Sequence, residues 1–330
     1  MPSEIHRMNT LCIIGAGQLG SRHLQALKMV LQPLHITIVD PSEESLKRAE
    51  ERYQLATGSA HHQLRYVKTL GDTAQSFDLV IIATTSNYRR EVVEKLFETC
   101  SVKSMILEKI LFQRYEDYQK VEQLLEKNHC QAWVNCSMRA MTFYAELPKK
   151  IQSGPLTYLV TGSQYGLITN IIHYIDHIAY LTGCYDYEVI TGALDPTPID
   201  SKRPGFLELN GTLSVHFKDG SHGTFTCFPD GEIPFLVEIH AKEYRCIVRE
   251  NERKAWESSQ KNNWQWQEVN AEIPFQSQMT ATLTENILKT GACPLIPYKK
   301  AAQLHLTLLE ALRAFLNTSS GKKFDYYPFT

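Results

Sequence analysis

Along the first 136 residues, short apolar runs alternate with stretches whose apolar side chains recur every three or four positions. Leu11-Cys-Ile-Ile14 is such a run, ending in Gly15. It reads as a buried parallel strand, because strands covered on both faces are continuously apolar. Leu24, Leu27, Val30 and Leu31 then mark a helix over 20–31. Ile36 to Val39 is the next strand, and 42–53 is a charged helix with Leu46, Ala49 and Tyr53 on one side. Strands are predicted at 79–83, 103–107 and 132–135, with helices at 91–100 and 115–127 between them. Strands alternating with helices of this length imply βαβ units and a doubly wound parallel sheet.

The pattern then changes. A helical stretch around 140–151 leads to a strand at 156–163 and a helix at 171–181. From Tyr187 to about Trp266 the chain reads mostly as strands punctuated by Gly and Pro, with candidates at 207–217, 222–228, 235–240 and 244–248. Asp219-Gly220 is a pair favoured by tight hairpins. The chain ends in two helices, near 280–289 and 299–316. The expected architecture is therefore α/β followed by α+β: a Rossmann domain over 1–136, then a domain with a large, mainly antiparallel sheet over 137–330.

Composition narrows the classes. Thirty-four Lys+Arg against 36 Asp+Glu leave a net charge of -2, which lacks the basic excess of an electrostatic nucleic-acid binder. The longest apolar run is five residues, Leu79 to Ala83, whereas a spanning helix needs about 20. Residues 1–10 have no apolar signal-peptide core, so a cytoplasmic location is expected. Eight cysteines are scattered without a C-x-x-C pair, which fits packed thiols better than disulfides or a zinc cluster.

Gly15-Ala16-Gly17-Gln18-Leu19-Gly20 fits G-x-G-x-x-G, directly after a strand and opening a helix. Asp40 follows Gly20 by 20 residues, at the end of the second strand. Gly15 permits the tight turn, Gly17 lets the backbone approach a pyrophosphate, and Gly20 allows helix to pack on strand. Free N–H groups at the helix start favour the phosphates. Asp40 would accept from the ribose hydroxyls and repel a 2′-phosphate. That favours NAD(H) over NADP(H), while Lys47 and Arg48 nearby leave NADP(H) possible. The bland alternative is a glycine turn that only shapes the fold.

With these features in place, the chain resembles the Gfo/Idh/MocA oxidoreductase family over nearly its whole length. Thr85-Ser-Asn87 looks like the family's Thr-Pro-Asn loop, with Ser86 in place of Pro. Glu108-Lys109-Ile110 looks like its Glu-Lys-Pro, with Ile110 in place of Pro. His173, Asp176, Leu181 and Gly183 match the anchors of the family's helix motif. The resemblance implies cofactor contacts from Gly15, Gly17, Gln18, Leu19, Gly20, Asp40, Thr85, Asn87 and Glu108. It implies catalytic roles for Lys109 and His173. It implies a sugar, sugar derivative or cyclitol oxidised or reduced at a hydroxyl or carbonyl carbon. It also implies a homodimer or homotetramer joined through the second sheet. The family's catalytic aspartate falls on Thr169, which cannot ionise. Arg90 stands where the family often has histidine, and Arg139 matches a basic position it often shows.

Hydride transfer needs a base near the hydroxyl and donors for the changing charge on oxygen. Histidine titrates in the right range, and a partly buried lysine can be tuned toward it. The bland reading of Lys109 is a surface lysine paired with Glu108. Asn170, His173, Asp176, His177 and Tyr180 share a helical face, whose bland reading is an ordinary polar network. Thr169, Asn170, Asp176 and Arg139 are candidates to bind substrate or to orient. Asp176 is expected to orient His173 or to cap a network. His173 and His177 have zinc-helix spacing, but no third ligand is evident, so no metal is expected. Lys202 and Arg203, in a proline-bearing loop, read as solvated charges that could otherwise meet an acidic substrate. The missing acid at Thr169 leaves two alternatives open: a nucleotide-binding sensor or assembly protein without turnover, and elimination or epimerisation by transient oxidation.

Overall fold

The computed structural model describes residues 8–58, 61–73, 76–152 and 154–330, without the side chains of residues 276 and 277. Most of the N-terminal segment read above for a signal peptide lies outside the described residues.

The elements run β1 (Asn9–Ile14), α1 (Gln18–Leu27), β2 (Leu34–Val39), α2 (Glu43–Leu55), β3 (Gln63–Val67), β4 (Ser76–Ile82), α3 (Ser86–Thr99), β5 (Ser101–Leu107), α4 (Tyr115–Lys127) and β6 (Gln131–Val134). After α5 (Thr142–Ala145) come β7 (Leu156–Ser163), α6 (Leu167–Thr182), β8 (Tyr187–Leu194), β9 (Ile199–Asp200), β10 (Leu207–Glu208) and β11 (Gly211–Phe217). The remainder is β12 (His222–Phe228), β13 (Leu236–Ala241), β14 (Tyr244–Arg249), β15 (Lys254–Ser259), β16 (Gln267–Asn270), α7 (Gln276–Thr290), β17 (Ile296–Pro297) and α8 (Tyr298–Ser319).

The chain forms two compact units. The first holds residues up to Glu108, Glu116–Asn135 and Pro274–Tyr298. Its sheet has the order β17-β6-β5-β4-β1-β2-β3, parallel except for β17 on β6. The strand order reverses between β1 and β4, where open α/β sheets form their ligand crevice. The most apolar run of the chain, in β4, occupies a central place there because both sheet faces are covered. Ser42 caps α2 by accepting from Ser45 N at 3.2 Å, and Leu46, Ala49 and Tyr53 are its buried face, as the spacing predicts. α1 begins two residues earlier than predicted and stops at Leu27, leaving Leu31 81% exposed. β3 was not foreseen, because an edge strand with no fully buried residue has no apolar run to read.

The second unit holds Lys109–Tyr115, Cys136–Ile273 and Lys299–Thr330. Its large sheet has the order β16-β15-β14-β13-β7-β12-β11-β8, antiparallel except for β7 beside β12. Alternate residues of β7 and β12 are buried on the side where α6 lies, as at Tyr158, Val160 and Phe225. The stretch around 140–151 does not form one helix. It breaks into short turns, with Pro148 in the turn after α5. The strand expected over 207–217 is two, because Gly211 at φ 93° redirects the chain.

A simple division at residue 136 is therefore too coarse. α7 and β17 return to the first unit, with Ile296 opposite Val134. Lys109–Tyr115 leaves the first unit for the second. Among the described residues, no helix is long and apolar enough to cross a membrane. All eight cysteines are unbridged.

Candidate functional site

The first unit carries a glycine turn shaped for a dinucleotide. Gly15 has φ 93°, a conformation that side chains rarely adopt, and its N–H donates to Val39 O at 2.8 Å. A Cβ on Gly20 would stand 1.7 Å from Gly15 O, so only glycine lets α1 pack there. A Cβ on Gly17 would meet nothing within 4 Å. Gly17 precedes α1 and no side chain caps the helix. Among the described residues, no acceptor takes the amides of Gln18, Leu19 or Gly20. Open amides at a helix start form an anion site.

Asp40 ties this turn to the second strand. Its Oδ2 accepts from Ala16 N at 2.7 Å and its Oδ1 from Ser42 N at 2.8 Å. Each carboxylate oxygen keeps a lone pair for a further donor. A cavity of ≈ 590 Å³ lies here, lined by Gly15, Gly17, Asp40, Leu70 and Thr85. The turn, the open amides and the acid fit a nicotinamide dinucleotide. Gln18 is exposed, and Arg52 donates to its Oε1 at 2.7 Å. Leu19 is half-buried. Thr85 immediately precedes α3 and its hydroxyl donates to Asn87 Oδ1 at 2.6 Å, while Asn87 is exposed. Arg48 is paired with Glu44 and Lys68 with Glu43, so two cations near Asp40 already have acids on α2.

Glu108 is buried in this unit. Its Oε1 meets His23 Nε2 at 2.9 Å and accepts from Asn135 Nδ2 at 2.6 Å. His23 Nδ1 lies 2.8 Å from Thr280 Oγ1 on α7. Sequence reasoning missed His23, Asn135 and Thr280. They come from three distant segments and belong to no motif.

In the second unit Lys109 is buried, not a surface lysine. Its Nζ donates to Thr169 O at 2.6 Å, and its peptide bond to Ile110 is cis. Thr169 and His173 lie one turn apart on α6. His173 Nδ1 accepts from Ser137 N at 3.3 Å. That bond assigns the ring proton of neutral His173 to Nε2.

Thr169 does not stand without a carboxylate. Glu208, buried at the end of β10, accepts the Thr169 hydroxyl at 2.8 Å and the Thr169 N–H at 3.1 Å on Oε2. Its Oε1 accepts Ile168 N at 2.6 Å and Leu209 N at 3.0 Å. The threonine side chain thus meets a carboxylate, contributed by a residue 39 positions away, which caps the first turn of α6. Asn170 donates to Tyr165 O at 2.7 Å and to Gly166 O at 3.1 Å. Thr169, Asn170 and Glu208 line a ≈ 370 Å³ cavity with Lys202 and Arg203.

Of the two roles expected of Asp176, orienting His173 or capping a network, the structure shows the network. The Asp176 carboxylate takes Arg139 in a two-pronged pair, Oδ2 from Nε at 2.8 Å and Oδ1 from Nη2 at 2.5 Å. Both residues are buried, so the pair is an internal brace, not an arm toward substrate. Burial raises the Asp176 carboxyl to about 6 while Arg139 pulls it down. His177 is fully buried, with Tyr158 OH 3.0 Å from Nδ1, and burial lowers it to about 3. With Asp176 on Arg139 and His177 on Tyr158, the zinc-like spacing assembles no cluster. Among the described residues, no group of three or more His, Cys, Asp or Glu is placed to hold a metal.

Residues 10–136 match the Gfo/Idh/MocA family model, described as an oxidoreductase family with an NAD-binding Rossmann fold. No curated protein matches by sequence. Among solved structures, an oxidoreductase from Agrobacterium radiobacter in complex with NAD+, L-tartaric acid and magnesium is similar in fold, with a TM-score of 0.70 and 15% identity. The match covers 95% of this chain and 97% of that one. A UDP-N-acetylglucosamine 3-dehydrogenase from Acidithiobacillus ferrooxidans matches at TM-score 0.69 and 15% identity, covering 94% and 99%. A 3-ketoreductase variant from Actinomadura kijaniata, in complex with TDP-benzene and NADP, matches at 0.68 and 11%, covering 93% and 97%.

Proposed function

We propose, for a chain whose residues 10–136 belong to the Gfo/Idh/MocA oxidoreductase family, that it oxidises or reduces a secondary alcohol or carbonyl carbon of a sugar, sugar derivative or cyclitol. The observation that carries this reading is the buried Lys109 ammonium fixed on Thr169 O, one helical turn from His173. The sugar dehydrogenase and ketoreductase among the similar folds agree with it. A bound nicotinamide supplies or accepts the hydride.

The chain's own residues then manage the proton and the oxygen. Lys109, as the amine, takes the hydroxyl proton at Nζ; as the ammonium, it returns it. His173 offers its Nε2–H to the same oxygen as charge develops there, since Ser137 N occupies Nδ1. Glu208 fixes the first turn of α6, and with it the carbonyl on which Lys109 rests. Asp40 would hold the ribose hydroxyls and repel a 2′-phosphate, which would favour NAD(H) over NADP(H).

Association through the large sheet belongs to the same proposal. Its face away from α6 carries half-buried Leu159, Thr161, Thr224 and Thr226, a continuous surface for a second copy. Sedimentation of the purified chain as a monomer would remove that part.

The test begins with NADH binding, read by quenching of protein fluorescence. A screen of sugars and cyclitols then follows NADH absorbance. Lys109→Ala and His173→Ala each cut turnover at least tenfold, about 1.4 kcal/mol of transition-state stabilisation. Unchanged turnover in both variants sinks the site assignment. NADH binding with no turnover of any kind favours the sensor.

A further inference from the structure

The loop carrying Lys202 and Arg203 does not simply run through solvent. Both residues line the ≈ 370 Å³ cavity at the start of α6, at the small end of the roughly 300–1,000 Å³ typical of ligand sites. Lys202 is exposed and Arg203 half-buried. Among the described residues, neither side chain has an ion-pair partner. We propose that this cavity is a subsite for an oxyanion, a carboxylate or a phosphate, borne by a hydroxylated substrate. The proposal rests on the oxidoreductase reading above, whose substrate class it narrows.

Charge accounting favours an anion. Two acids share the cavity, Glu208 and Asp200. Glu208 is committed, because three backbone amides and the Thr169 hydroxyl point their donors at its two oxygens. Only exposed Asp200 remains against the two cations. An anion entering here meets a guanidinium fork suited to two oxygens at once, and an ammonium beside it.

A neutral donor stands on the same wall: Asn210 lines the cavity, and its side-chain amide has no hydrogen-bond partner among the described residues, which leaves its N–H groups for a ligand oxygen.

Thr169 connects the subsite to the chemistry. It lines the cavity and its carbonyl receives Lys109 Nζ. An anion held by Arg203 and Lys202 therefore belongs to the molecule whose hydroxyl Lys109 serves, with the charged group at one end and the reacting carbon at the other. A neutral sugar gives the two cations no task.

The test uses the full chain saturated with NADH and three probes: D-glucuronate, D-glucose 6-phosphate and D-glucose. Binding is measured by calorimetry at low and high salt. At least one anion binds tenfold or more tighter than glucose, and salt weakens it. The choice between glucuronate and glucose 6-phosphate identifies the anion. Combined Lys202→Ala and Arg203→Ala removes the preference and leaves NADH binding unchanged. Equal binding of glucose and both anions, absence of anion binding up to about 10 mM, or an unaltered preference in the double variant each overturns the subsite. Failure of the catalytic reading looks different: the anion still binds through Arg203, while Lys109→Ala leaves its turnover unchanged.

Discussion

Two helices of this chain begin beside a glycine, and they treat their first amides in opposite ways. α1 follows Gly17 with its first amides unmet among the described residues and with space at the Gly17 Cβ position. α6 follows Gly166, at φ 78°, and its Ile168 and Thr169 amides are met at once by Glu208. The positive end of a helix attracts an anion in either case. In α1 an anion would have to come from outside, as the proposed dinucleotide pyrophosphate does. In α6 it comes from the chain's own β10, which makes a fixed support for the Thr169 carbonyl and Lys109. Openness identifies the place for a ligand, and closure identifies the frame that positions catalytic groups.

The largest effect expected lies at the open turn. Gly20→Ala drives a Cβ into Gly15 O, so the turn cannot keep its shape. NADH binding is abolished and the melting temperature falls. Gly17→Val separates binding from folding, because open space surrounds the new side chain. Its melting temperature stays close to that of the parent, while NADH affinity drops on the order of 100-fold, about 2.7 kcal/mol. Retained NADH affinity in Gly17→Val would mean that α1 does not receive the pyrophosphate.

The closed turn predicts a stability effect first. Glu208→Ala leaves three amides and a hydroxyl without their acceptor, at a cost of about 3 kcal/mol in denaturant unfolding. Glu208→Gln keeps one carbonyl acceptor and costs less. Turnover in Glu208→Gln falls while NADH binding holds, because Lys109 loses a firm seat. If Glu208→Ala unfolds at the parent's denaturant midpoint, the contrast between the two helix starts fails.

These two turns were unequally legible in the sequence. The open one is local: Gly15, Gly17 and Gly20 sit in one hexapeptide, and Asp40 follows at a fixed remove, so spacing alone reveals them. The closed one is not. Glu208 reaches Thr169 across 39 residues, from a two-residue strand inside a segment that reads as one longer strand. Lys109 and His173 were visible only through a resemblance, and their hydrogen bonds to Thr169 and Ser137 required the fold. The two roles left open for Asp176 could not be separated by helical periodicity, which puts it on the face of His173 but says nothing of Arg139, which approaches from another segment. β3 and the return of α7 and β17 escaped for a related reason: pairing partners, not intrinsic pattern, give short or polar segments their place.

Farther along α6, acidification tests how firmly the helix is packed. His177 has its folded value lowered from 6.5 to about 3 by burial. Its contribution is therefore present above pH 6.5 and is lost as pH falls, by up to about 1.4 kcal/mol per pH unit. Asp176 works in the opposite sense. Its folded value is raised from 3.8 to about 6, so its contribution is present below 3.8 and is lost as pH rises through 6. Between pH 6 and 4 the two oppose one another. In His177→Phe the Asp176 trend is left without its opponent, and unfolding free energy relative to the parent rises with falling pH. Parallel pH curves for parent and variant would show that His177 titrates freely.

Asp40 gives the smallest effect and the finest distinction, because it has two tasks in one carboxylate. It braces the open turn through Ala16 N and Ser42 N, and the proposed function gives it the ribose hydroxyls as well. A fall in NADH affinity after Asp40→Asn would not by itself separate these tasks. NADPH supplies the control, since both cofactors use the same turn and differ at the 2′ position. Loss of the ribose contact lowers NADH affinity about tenfold, or about 1.4 kcal/mol. Loss of the negative charge spares or improves NADPH. The NADH-to-NADPH affinity ratio therefore falls roughly tenfold in Asp40→Asn, measured by fluorescence titration of each cofactor. If both affinities fall together, Asp40 serves the turn alone, and the open amides of α1 bind the dinucleotide without reading its ribose.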